Sequence, residues 1–196
     1  MGRYYYHGID CFFGAMGYTV EIMIKILESE GIKSRCEVQN RLDERYNHVC
    51  LYRKNEEYDY TSSKFMFNSA RGGWIDGNFV FVISPDIQTE KVYYGKREFD
   101  QLGNFYPNLV DEWRSVGGIP SSKIVGLALP WNAINEYLKA ELNDVEELED
   151  QRKLILLLPK LQSLADKMGI FITSSEIENF TDTLDEQLYK SIRKVR

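Results

Sequence analysis

Apolar positions change their period partway along the chain, and the change separates a strand-rich part from a helix-rich one. The Tyr run at residues 3–7 predicts a short strand, because Tyr favours extended backbone, and Gly8 ends the run. Val20, Met23, Ile24 and Leu27 recur at helical spacing and predict an amphipathic helix over 19–30, capped by Thr19 and closed by Gly31. Residues 47–53 alternate apolar and polar, as a strand does. Residues 79–84, Phe-Val-Phe-Val-Ile-Ser, form the clearest strand pattern and stop at Pro85. Between these, 58–78 leaves two readings open, because 62–70 suits a helix while Gly72, Gly73 and Gly77 break the pattern.

Residues 86–108 read as strand fragments and loop, with Gly95, Gly103 and Pro107 as punctuation. A strand is predicted over 109–116 and another over 124–129, ended by Pro130. From Trp131 the period is helical. Helices are predicted over 133–150 and 151–168, the second kinked at Pro159, then a short strand at 169–173 and a final amphipathic helix at 176–196. The fold class expected is α+β: a domain over 1–130 with a helical C-terminal extension, 131–196, packed on it.

Composition sharpens this division. Of 26 aromatic residues, 21 fall in residues 1–113, so the strand-rich part is a Tyr- and Phe-lined core, a pocket wall, or both. The formal net charge is −6, with neither part basic, which argues against a partner bound through phosphate neutralisation and so against nucleic acid. Cys11, Cys36 and Cys50 are an odd set at uneven spacing, so reduced thiols are expected rather than a disulfide framework. The first ten residues lack the apolar segment of a signal peptide, and the longest apolar run, residues 154–158, is too short to span a bilayer. A soluble, cytoplasmic protein with no membrane partner is expected.

Three features could carry chemistry. His7-Gly8 sits at a strand end, where an imidazole beside a residue without Cβ lets a ligand approach closely. Asp111-Glu112 places two acidic groups in an otherwise apolar strand; alternation sends them to opposite faces, so one of them can serve a pocket. A carboxylate there could bond a sugar hydroxyl and stabilise an oxocarbenium-like cation as a glycosidic bond breaks. The aromatic and hydroxyl residues of 48–52 and 58–63 suit a planar heterocycle held between rings. His7, Cys11, His48 and Cys50 match no metal-ligand spacing, so no metal is expected, and Gly72-Gly73…Gly77 lacks a nucleotide-binding fingerprint. The acidic run Glu146-Glu147…Glu149-Asp150 reads as a solvated helix face.

Taken in order, these features resemble the ADP-ribosyltransferase family, whose domains open on a His-Gly-Thr or Arg strand and close on a strand with a catalytic Glu. His7-Gly8 matches the opening motif, with Ile9 where Thr is usual. The stretch EWRSVGGIPSSKIVGLAL resembles the closing element and makes Glu112 the candidate catalytic carboxylate. The middle motif is either His48–Tyr52, with Cys50 in place of Ser, or Tyr60–Ser63, of which Tyr60 and Ser62 are preferred. The resemblance covers residues 3–130. It implies a split β-sheet core that binds NAD as substrate in a cleft, with no metal. His7 and Gly8 would hold a ribose or the nicotinamide amide, Tyr52 or Tyr60 would stack on nicotinamide, and Ser62 would belong to the same wall. Glu112 would favour departure of nicotinamide, and ADP-ribose would pass to a protein acceptor, a base or water. Val110 stands where Arg-modifying members carry a second Glu, so Arg is a less favoured acceptor. The alternative is a binding module of the same fold without activity.

Overall fold

Residues 4–9, 14–39, 47–51, 79–92 and 112–176 are described by a computed structural model. In chain order they form strand β1 (Tyr5–Ile9), helix α1 (Met16–Glu28), strand β2 (Gly31–Ile32), helix α2 (Arg35–Gln39) and strands β3 (His48–Leu51), β4 (Phe79–Ile83), β5 (Glu90–Val92), β6 (Glu112–Val116) and β7 (Ile119–Pro120). A 3-10 turn at Ser121–Lys123 leads to β8 (Ile124–Leu129), helices α3 (Trp131–Lys139) and α4 (Val145–Met168), and β9 (Phe171–Ser174). The fold is mixed α+β. One sheet has the order β1-β4-β8-β9, a second has β3-β6-β5, and β2 pairs β7 in a two-residue ribbon.

The first sheet is antiparallel except for β8 and β9, which run parallel. A parallel pair needs a crossover, and α3 with α4 supply it. Both faces of this sheet are buried, which explains why Phe79–Ile83 is an unbroken apolar run instead of an alternating one. Phe79, Phe81, Ile83, Leu127 and Leu129 face a core shared with Val20, Met23 and Leu27 of α1 and Leu154, Leu161 and Ala165 of α4. Tyr6, Val80, Val82 and Ala128 form a smaller cluster on the other face. The main core therefore runs across residue 130, and β9 belongs to the same sheet as β1.

Several boundaries differ from the sequence expectation. Gly8 does not end β1; it pairs with Val80 inside the strand, which continues to Ile9. Helix α1 starts at Met16, and Thr19 is not its cap: the Thr19 hydroxyl donates to the Ala15 carbonyl. The helix ends at Glu28, with Ser29 as its C-cap, and Gly31 belongs to β2. The helix boundary expected at 150/151 lies at 140–144, because the Asp144 carboxylate accepts from the Glu146 and Glu147 amides and starts α4 there. Helix α4 runs unbroken through Pro159, an exposed position where water can meet the Ile155 carbonyl left without its helical donor. It ends at Gly169 in the left-handed region, φ 68°.

The expected acidic helix face is only partly solvated. Asp150 is 9% exposed and points at α1, where its carboxylate accepts from the Gly17 and Tyr18 amides, each at 2.8 Å. Short elements β2, α2 and β7 were not anticipated. The expected helix at 62–70, most of the 86–108 segment and the final helix at 176–196 lie outside the described residues, Glu176 and 86–92 excepted. Among the described residues no helix is long and apolar enough to cross a membrane.

Candidate functional site

Among the described residues β1 lies at the edge of the first sheet, and its residues of one parity reach the second sheet. The Tyr5 ring meets Trp113 of β6 edge-on, with centroids 5.5 Å apart and planes at 66°. The Tyr5 hydroxyl shares a 2.8 Å hydrogen bond with the Thr89 hydroxyl just before β5. Two residues on, His7 Nδ1 lies 2.9 Å from the Cys50 carbonyl of β3. Tyr5 and His7 thus tie β1 to β3, to β6 and to the residue that precedes β5. Trp113 and Ser115, the buried parity of β6, lie toward the interior.

The His7 contact settles a tautomer. A carbonyl oxygen can only accept, so Nδ1 carries the hydrogen and donates it to Cys50. Burial holds the imidazole below its ordinary value of 6.5 and outweighs the bond to Cys50, which acts in the opposite direction. His7 is therefore neutral at pH 7, with Nε2 as an acceptor lone pair. A neutral, oriented imidazole on a strand between two sheets is suited to accept from a hydroxyl donor and poorly suited to hold an anion.

β3 lies antiparallel to β6, with Cys50 opposite Arg114 and Leu51 opposite Trp113. Glu112 is the first residue of β6 and pairs with Val92 of β5 on its other side. Its position shares the strand parity of Arg114, half-buried, and Val116, 60% exposed, rather than that of the buried Trp113 and Ser115. The strand bearing His7 and the strand bearing Glu112 thus both contact β3, and they also touch each other at Tyr5 and Trp113.

Gly8 follows His7 in β1 and is buried. Tyr52, Tyr60 and Ser62 lie outside the described residues, as does Cys11. Cys36 and Cys50 are half-buried. Among the described residues no group of three His, Cys, Asp or Glu side chains is arranged to hold a metal ion.

Sequence reading missed Tyr5, Thr89 and Trp113 as contacts between the sheets. Part of the signal was present: in the Tyr4-Tyr5-Tyr6 run, period-2 alternation gives Tyr5 the parity of His7 and puts Tyr6 on the opposite face. No protein-family model, curated protein sequence or solved structure matches the chain.

Proposed function

We propose that the chain is an ADP-ribosyltransferase-like enzyme that uses NAD as substrate, breaks its nicotinamide–ribose bond and passes ADP-ribose to a macromolecular acceptor or water. The observation that carries this reading is the adjacency of β1, β3 and β6: His7 bonds the backbone of β3, and β3 is hydrogen-bonded to the strand that begins at Glu112. The resemblance noted in the sequence requires those two residues to serve one cleft.

In this reading Nε2 of neutral His7 accepts from a ribose hydroxyl. Glu112 stabilises positive charge that builds on the ribose as the C–N bond breaks. The bonding electron pair leaves with nicotinamide, a nucleophile adds at the same carbon, and the nucleophile's proton passes to solvent or a base. Tyr52 or Tyr60, with Ser62, would hold the nicotinamide. A protein side chain is the favoured acceptor, because the net charge of −6 disfavours nucleic acid.

The test is release of labelled nicotinamide from NAD, measured alongside NAD binding by calorimetry. Wild type should bind and consume NAD. Glu112→Gln should keep binding and lose turnover by about 100-fold or more, the scale of removing one preorganised electrostatic partner. Wild-type protein that neither binds nor consumes NAD overturns the reading.

A further inference from the structure

The outer face of α4 has a pattern that its own fold leaves unused. Val145, Glu149, Arg152 and Leu156 follow one another at spacings of four, three and four, and so lie within an arc of about 60° on the helix. All four are exposed, Val145 at 68% and Leu156 at 74%. The opposite side of the helix presents Asp150, Leu154, Leu161 and Ala165 to the interior. Ion pairs join α4 to α1 at Lys153–Glu21 and Lys160–Glu28, but none among the described residues engages Glu149 or Arg152.

The order apolar, acid, base, apolar reads as its own complement when reversed. We infer that this face of α4 is a self-association surface, on which a second copy of the chain packs its α4 antiparallel to the first. A two-fold axis crossing between Asp150 and Gln151 sets Val145 against the partner's Leu156 and Glu149 against the partner's Arg152. Symmetry then repeats both contacts, as an isologous interface requires. The face has room for a partner's side chains: a groove of about 470 Å³ between α1 and α4 is lined by Ile24, Leu157 and Leu156, with Glu149 and Arg152 on its wall. Tyr18, 56% exposed at the start of α1, adds an aromatic ring beside Lys153. Three turns of one helix bury less than a standard interface, so the dimer is weak.

Sedimentation equilibrium of the full chain from micromolar to millimolar concentration tests this, with circular dichroism of each variant as the check on folding. Wild type should self-associate with concentration, and Leu156→Glu should be monomeric throughout. Val145→Gln reads the other apolar position should Leu156→Glu lose helix. Glu149→Arg and Arg152→Glu each put like charges face to face and should weaken the dimer roughly tenfold. The double variant Glu149→Arg/Arg152→Glu should restore it. A wild type that stays monomeric at every concentration overturns the inference and leaves the face to a different protein. So does a dimer indifferent to Leu156→Glu, or a double variant no stronger than the single ones.

Discussion

Asp150 is the residue whose loss the structure predicts most sharply. The first amides of a helix have no partner within it, and in α1 two of them are met by a carboxylate from the far end of the chain. Asp150→Ala removes both 2.8 Å bonds to the Gly17 and Tyr18 amides and a third, at 3.2 Å, from the Tyr137 hydroxyl. Hydrogen bonds to a charged group contribute about 1.5 kcal/mol each at the lower end of their range, and that end suits the partly buried Tyr18 amide. Tyr137 keeps its bond to the Glu147 carbonyl, so its loss adds only about 0.5 kcal/mol. The sum is about 3.5 kcal/mol, or a fall in Tm of roughly 7–14 °C for a chain of this size. Asp150→Asn keeps one acceptor oxygen but turns an NH2 group toward the other amide, and should lose about 2 kcal/mol. Thermal and urea unfolding followed by circular dichroism measure both. A Tm for Asp150→Ala within 2 °C of wild type would refute the reasoning, because the α1 amides would then not depend on this carboxylate.

The same contact constrains Gly17, where a Cβ would lie 2.2 Å from the Asp150 carbonyl oxygen and 2.8 Å from the Leu154 amide nitrogen. Gly17→Ala must push α1 and α4 apart, so it should cost about 3 kcal/mol despite a helix propensity gain of about 1 kcal/mol; an unchanged urea midpoint would contradict it. His7 should make stability fall with acid. Its folded value lies below 6.5, so between the two values the unfolded chain binds the extra proton, and stability is full above 6.5 and lost as pH drops from there toward the folded value. Urea midpoints at pH 7.5 and 5.5 should converge in His7→Gln relative to wild type, and an equal pH response in the two proteins would rule His7 out as the source.

What was legible in the sequence is what local pattern determines. Phe79–Ile83 and Ile124–Leu129 are dense in β-branched and aromatic residues, and both are strands. The stripe Val20, Met23, Ile24 and Leu27 is the buried face of α1. The start of that helix was not legible, because its cap comes from Asp150, 133 positions after Gly17, and no local rule reaches so far. The same fact misdirected the reading of Glu146-Glu147…Glu149-Asp150, where one acid of an apparently solvated run is the buried one. Asn143-Asp144 held a usable cap signal for α4, but the unbroken helical period on both sides concealed it. At the candidate site, His7 and Gly8 were legible as a pair, whereas the bond from His7 to Cys50 spans 43 positions and depends on how two sheets meet.

That dependence joins the C-terminal helices to the candidate site. Among the described residues β1 is hydrogen-bonded within its sheet to β4 and reaches the second sheet through Tyr5 and His7. Its orientation therefore rests on the sheet behind it and on the helix that follows it. The sheet is completed at its far edge by β9, from beyond α4, and α1 is fixed at its start by Asp150 of α4. Leu154, Leu161 and Ala165 fill the core beneath the same strands. A chain ending at residue 130 would lose the last strand, the cap of α1 and that side of the core together. The helices after residue 130 are thus part of what holds His7 against β3, and the aromatic-rich part of the chain does not build the site alone.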